Sequence, residues 1–269
     1  MPELHSFGIS RFCATLLRPV FHQEAVVKVS LFIPCITDQL YPESGMNMVR
    51  VLERTGADVR YDAKQTCCGQ PAFNTGYHDE SRDMALHFLD IFDGDGSDYI
   101  VAPSGSCVTM VKVFYGSLLE LPEEYREKAE RVRSRVHEFT SFLVDVLGKN
   151  SVGAEFHGRV TVHDSCHALR ELRIREQPRL LLRNVKGLEL VEMDAADVCC
   201  GFGGTFAVKH ASVSTAMTEE KVESILRSGA DVVTGVDSSC LMNISGMLKR
   251  RGSAVRCMHI ADILGGSGS

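Results

Sequence analysis

The pair Cys67-Cys68 followed by Gly69 is written a second time as Cys199-Cys200-Gly201, and each copy has two further cysteines at matched distances. They are Cys35 and Cys107 around the first copy, Cys166 and Cys240 around the second. The steps from 35 to 166, from 67 to 199 and from 107 to 240 are 131, 132 and 133 residues. A period that holds its register this closely means one structural unit used twice. The chain must therefore fold so that each of two equivalent units gathers four thiols from three separate segments.

Ten cysteines in 269 residues mean disulfides in an oxidising compartment and metal or thiol redox chemistry in a reducing one. The longest apolar run, about Val29 to Ile36, is far short of the roughly 20 residues that a membrane-spanning helix needs. Met1 to Gln23 carries Arg11 and Arg18 without a sustained apolar core or a small-residue cleavage site, which argues against a secretory signal. A cytoplasmic location follows as the expectation, with any membrane association made through partners. Apolar residues at 44% and charged residues at 24% describe an ordinary globular chain. A net charge of -6 lacks the electrostatic footprint of a nucleic-acid binder. Arg170, Arg173, Arg175, Arg179 and Arg183 read as the solvated face of a helix. Cys13 and Cys257, outside the repeat, read as ordinary small apolar side chains.

Residues 1–25 lie outside the repeat and read as an N-terminal extension; residues 265–269, ending Gly-Ser-Gly-Ser, have the composition of a flexible tail. The first repeat, 26–148, opens with an apolar strand over Val26 to Pro34 that delivers Cys35. A helix over about Tyr41 to Arg54 and a strand over Ala57 to Tyr61 lead to the double cysteine. A helix at about Asp79 to Phe92 and a strand at Tyr99 to Ala102 then lead to Cys107. Leu121 to Leu147 predicts a long charged helix whose stripe of Val132, Val136, Phe139, Leu143 and Val146 packs between the halves. The second repeat, 158–264, runs through the same elements. Strand Arg159 to His163 precedes Cys166 and a helix near Ala168 to Asn184. Strand Leu188 to Glu192 precedes Cys199, and a helix from about Ser212 to Arg227 follows. Strand Asp231 to Thr234 precedes Cys240, and Val255 to Leu264 closes the chain as strand or helix. Alternating strands and helices at this spacing predict an α/β protein of two pseudo-symmetric, Rossmann-like halves with mainly parallel sheets and helices on both faces. In such sheets ligands bind beyond the carboxyl ends of the strands, where every cysteine group falls.

Three chemistries suit four such thiols: zinc, an iron-sulfur cluster, or a thiol redox pair. Structural zinc usually uses knuckles with two to four residues between paired cysteines, whereas here the close pair is adjacent in sequence. Neighbouring thiolates diverge from one backbone, which is awkward for one small ion and suits a cluster that offers each its own iron. Gly69, Gly105, Gly201, Gly203 and Gly204 let the backbone approach such a group closely. His163 and His167, which flank Cys166, fit hydrogen bonding to the site better than ligation, since four cysteines are already present. No glycine-rich nucleotide fingerprint follows the first strand, where Pro34-Cys35-Ile36-Thr37 stands instead, so a flavin or nicotinamide would belong to a partner.

These motifs resemble the cysteine-rich CCG domains of heterodisulfide reductase and of the glycolate oxidase iron-sulfur subunit. The span from about Lys28 to Leu264 looks most like the lactate utilization protein A family. The phrases that carry the likeness are Gln-Thr-Cys-Cys-Gly-Gln-Pro-Ala-Phe-Asn at 65–74, Pro-Ser-Gly-Ser-Cys at 103–107, Cys-Cys-Gly-Phe-Gly-Gly-Thr-Phe at 199–206 and Cys-Leu-Met-Asn-Ile at 240–244. The resemblance implies an electron-transfer subunit, rather than a stand-alone enzyme, of a system that oxidises L-lactate to pyruvate. Its implied partners are a ferredoxin-like iron-sulfur subunit and a third subunit. It also implies Cys35, Cys67, Cys68 and Cys107 as one ligand set and Cys166, Cys199, Cys200 and Cys240 as the other. The heterodisulfide reductase pattern ends in Cys-x-x-Cys, where this chain has Met110 and Asn243. Four ligands per repeat point to two ordinary [4Fe-4S] cubanes. A thiol/disulfide oxidoreductase subunit and a zinc-binding scaffold are the alternatives.

Overall fold

The computed structural model describes residues 26–266; the expected extension 1–25, with Cys13 in it, and residues 267–269 of the tail lie outside the described residues. Among the described residues short runs, most of them with Val, Ile or Leu, form eight strands. β1 (Lys28–Leu31), β2 (Asp58–Tyr61), β3 (Tyr99–Ala102) and β4 (Val136–Glu138) make one sheet in the order β2-β1-β3-β4. β5 (Glu155–Val162), β6 (Lys186–Leu190), β7 (Val232–Gly235) and β8 (Arg256–His259) make the other in the order β6-β5-β7-β8. Every strand pairing in both sheets is parallel. The two orders are the same, so the α/β pseudo-symmetry expected from the cysteine spacing is present in the backbone.

Alternation along the strands decides which face packs where. Val29, Leu31 and Val101 of the first sheet join Val160, Val162 and Val232 of the second in one shared core, closed by residues of helices Pro42–Arg54, Glu176–Arg183 and Ile260–Gly265. On the opposite face of the first sheet, Ile100 and Ala102 meet Phe88 and Phe92 of helix His78–Phe92. On that of the second, Val233 meets Val222 and Ile225 of helix Ala211–Ser228 and Ile244 and Leu248 of helix Ser238–Arg250. Burial of each such Val, Leu or Ile side chain contributes about 1.5–3 kcal/mol, so the shared apolar face joins the halves into one body.

Three local expectations are corrected. The single helix expected over Leu121 to Leu147 is a helix at Glu123–Arg135, then β4, then a helical turn from Phe139. Because the strand interrupts it, the stripe splits: Val132 and Val136 enter the outer core of the first sheet, and Phe139 and Leu143 the shared core. The helix expected near Ala168 to Asn184 breaks into Cys166–Arg170 and Glu176–Arg183, with Arg173 in the left-handed region at φ 61°. Arg179 is not on a solvated face. It is 3% exposed and holds Asp164 at 2.7 and 3.0 Å and Glu192 at 2.8 and 3.0 Å. Burial alone would lower its pKa, but the two carboxylates raise it. The fork of the guanidinium thereby fixes the turn that carries Cys166. No helix among the described residues is long and apolar enough to cross a membrane.

Candidate metal centres

In a sheet of order 2-1-3-4 the connections leave β1 and β3 in opposite directions, opening a crevice beyond their carboxyl ends. Cys35 follows β1 and Cys107 follows β3, one on each side of that crevice, and Cys67-Cys68 follows β2. Cys166 follows β5, Cys240 follows β7 and Cys199-Cys200 follows β6 in the same relation. The two crevices face each other. All eight cysteines line one cleft between the halves, together with Gln70, Asn74, His167 and Phe202. Cys257 is not among them: it lies on β8, packed against the core of the second half, where burial raises its pKa to about 12.

The glycine of each Cys-Cys-Gly is required twice over. Gly69 has φ +84° and Gly201 φ +82°, a region that side chains with a Cβ rarely enter. A Cβ on Gly69 would lie 3.0 Å from the carbonyl oxygen and hydroxyl of Ser81, and one on Gly201 would lie 2.7 Å from the carbonyl oxygen of Ser214 and 2.9 Å from the hydroxyl of Thr218. Ser81 and Ser214, equivalent residues of the following helices, each donate a hydroxyl hydrogen bond to the carbonyl of that glycine, at 3.2 and 2.8 Å. Gly201→Ala should therefore destabilise the protein by about 1–3 kcal/mol and loosen the turn holding Cys199 and Cys200. Chemical denaturation of apoprotein, beside the metal content of loaded protein, checks both effects. An alanine variant with parental stability and metal content would show that the turn tolerates a Cβ.

The thiols of each set are near enough to exchange hydrogen bonds. Cys35 donates to the Cys67 sulfur across 3.7 Å. That bond, with a second from Cys68, holds Cys67 down to about 3, and donating it pushes Cys35 up. Hydrogen bonds to Cys107 and Cys67, then burial, raise Cys68. The second set repeats the chain of neighbours: Cys166 and Cys200 hold Cys199 down to about 2, while Cys166 and Cys200 are themselves pushed up. One sulfur per set thus carries charge because its neighbours stay protonated. Ionising all four would place like charges together in a partly buried crevice, which only a bound cation can offset. A backbone amide stabilises the charged sulfur, Gly201 donating its N–H to the Cys199 sulfur at 3.4 Å. Ser104, capping the helix at Gly105–Thr109, accepts the Cys107 amide at 3.3 Å. The donor set suits a multi-iron cluster or another thiolate-bound metal.

Between the two sets lies a residue that spacing did not single out. Asp237 is 1% exposed, and its carboxylate accepts the hydroxyl of Ser104 at 2.7 Å, the hydroxyl of Ser106 at 2.7 Å and the amide of Ser106 at 3.1 Å. It also accepts the hydroxyl of Ser165. Ser104 and Asp237 form an isolated antiparallel bridge, each standing three residues before the last cysteine of its repeat. Beside them the halves approach so closely that a Cβ on Gly105 would lie 2.5 Å from the Ala168 Cβ. The matching places in the repeat could have signalled Asp237; its partners carry no sequence signature.

The positions of the missing fifth cysteines have other work. Asn243 donates its amide to the Cys200 carbonyl at 2.9 Å, and Thr218 reaches the same oxygen at 3.0 Å. Met110 is fully buried in the outer core of the first half, and there Tyr115 donates to the Cys68 carbonyl at 2.9 Å. His167 lines the cleft, with its ring edge-on to Phe114 of the first half at 5.9 Å. His163 is 1% exposed, its ring nitrogens have no hydrogen-bond partner among the described residues, and a ring nitrogen and the sulfurs of Cys200 and Cys240 all lie within 4.8 Å of one another. Burial lowers its pKa to about 3, with Lys221 adding to the effect, so the ring is neutral.

The cysteine-rich domain model named CCG matches residues 29–112 and 160–245. Lactate utilization protein A 1 of Bacillus mycoides (strain KBAB4) is 48% identical over 238 residues, covering 88% of this chain and 96% of its own. Lactate utilization protein A of Exiguobacterium sp. is 47% identical over 236 residues, again with 88% and 96% coverage. Among solved structures, a putative Asp/Glu racemase from Yersinia pestis aligns over 89% of this chain and 96% of its own, at 9% identity and a TM-score of 0.37. That likeness is too remote to inform either half.

Proposed function

Because this chain belongs to the lactate utilization protein A family of cysteine-rich CCG-domain proteins, we propose that it is the iron-sulfur electron-transfer subunit of a multi-subunit system oxidising L-lactate to pyruvate. The observation that carries the reading is the meeting of two complete sets of four thiols in one cleft. Cys35, Cys67, Cys68 and Cys107 hold one [4Fe-4S] cluster, and Cys166, Cys199, Cys200 and Cys240 hold the other. Bound there, the clusters supply one-electron uptake and release.

The protein's own residues do the rest. The glycine turns aim paired sulfurs into each crevice, and the amides around them stabilise negative charge on the sulfurs. Asp237 and its serine partners keep the two sets at a fixed separation. Residues 26–148 and 158–264 act as the two cluster-bearing repeats. The partners are a ferredoxin-like iron-sulfur subunit and a third subunit that brings the hydride acceptor, in the cytoplasm and peripheral to the membrane through those partners.

Anaerobically purified protein should contain about eight irons and about eight acid-labile sulfides per chain. Zinc without sulfide would overturn the cluster assignment in favour of a scaffold. An anaerobic pull-down from lactate-grown cells should retain both partner subunits.

A further inference from the structure

The repeat makes it possible to ask, position by position, what surrounds each set of thiols. The register that relates Cys35 to Cys166 relates Phe32 to His163, and the register that relates Cys107 to Cys240 relates Phe88 to Lys221. In the first half Phe32 and Phe88 are packed edge to face at 4.8 Å, both buried, and Phe92 closes the wall behind them. In the second half the same two places hold a histidine and a lysine, at 1% exposure each.

Neither replacement is explained by packing alone. Burying a polar group without a partner costs several kcal/mol in an apolar setting, and neither ring nitrogen of His163 has a hydrogen-bond partner among the described residues. A ring nitrogen lies instead within 4.8 Å of the sulfurs of Cys200 and Cys240. The Lys221 ammonium donates to the carbonyls of Ala195 at 2.6 Å and Ala196 at 3.1 Å, in the segment leading to Cys199. A buried N–H and a nearby cation both favour added negative charge on the sulfurs, which is what reduction of a cluster brings. The phenyl wall of the first half offers neither.

On the reading that both sets hold clusters, we propose that His163 donates its ring N–H to a sulfur of the second site. With Lys221 behind it, His163 makes the cluster held by Cys166, Cys199, Cys200 and Cys240 the more easily reduced of the two. One electron entering the protein then comes to rest at the second site: the first is left oxidised and the second is reduced by one electron, with no proton taken from His163. The asymmetry gives the relay a direction.

The test is a dithionite titration of holoprotein followed by EPR, with the two signals assigned by their loss in Cys67→Ser and Cys199→Ser. The second-site signal should appear first. In His163→Phe, which copies the first half, its midpoint should fall so that electron partition between the sites changes at least about tenfold, about 59 mV for one electron, while the first-site midpoint stays put. His163→Gln, which keeps an N–H donor, should recover part of the shift. Lys221→Met should move the same midpoint downward and serves if His163→Phe does not load. Equal midpoints in the parent, or an unmoved second midpoint in loaded His163→Phe or Lys221→Met, would overturn the inference and leave the cluster reading intact. So would a nitrogen hyperfine coupling strong enough to mark His163 as an iron ligand. Absence of iron and sulfide from the parent is the separate failure of the cluster reading.

Discussion

Cys199→Ser should lose about half of the bound iron and sulfide, close to four of each, while keeping the first set's share. Cys67→Ser should do the converse. The thiols contact one another within each set in the order Cys166, Cys199, Cys200, Cys240 and, in the first, Cys35, Cys67, Cys68, Cys107. Cys67 and Cys199 are the members whose sulfurs accept hydrogen bonds from neighbouring thiols, which lowers their pKa values. Serine keeps the size and loses the soft donor that iron requires. Cys257→Ser is the control, because that side chain sits on β8 in the core and its loss should leave the metal content unchanged. Iron, acid-labile sulfide and visible absorption of anaerobic preparations give the comparison. Loss of both clusters from Cys199→Ser alone would mean that the eight thiols act as one site.

Asp237→Ala should cost about 3 kcal/mol or more in the apoprotein, where no cluster can mask the effect. The substitution leaves three serine hydroxyls and a backbone amide, contributed by both halves, around a void. Each buried donor left without an acceptor costs about 1–3 kcal/mol, with hydroxyl rotation relieving part of the sum. Asp237→Asn keeps the shape but turns an N–H₂ toward donors, and should fall between alanine and the parent. Equilibrium urea unfolding gives the numbers, and a stable domain has only about 5–15 kcal/mol to lose. Should Asp237→Ala unfold at the parental midpoint, the shared apolar core alone would be holding the halves together.

Much of this was open to reading in the chain. Cysteine offsets that differ by one residue from segment to segment announce a repeated parallel unit, and apolar runs before each cysteine place the thiols at strand ends. β4 escaped because Val132, Val136, Phe139 and Leu143 recur at three and four residues whether or not a strand intervenes. The burial of Arg179 escaped because a helical stripe reports which residues share a face and is silent on Asp164 and Glu192, brought beneath that face by distant loops. Asp237 and Lys221 were unread for the same reason: polar pairings across long separations leave no period. Met110 and Asn243 were visible as departures from a motif, but their tasks, filling a core and pinning the Cys200 carbonyl, are properties of the folded state.

The bridge between Ser104 and Asp237 joins two equivalent positions, so it lies where the pseudo-two-fold relation brings a residue against its own counterpart. In a dimer of identical halves that place would hold the same residue twice. Two acids would repel in a buried setting, and two serines would leave hydroxyls to share without an anion to collect them. Carrying both halves on one chain lets one copy supply the acid and the other two of its three alcohols. That arrangement is closed to any protein assembled from a single half, and separate expression of residues 26–148 and 158–264 would part the acid from two of its three alcohols.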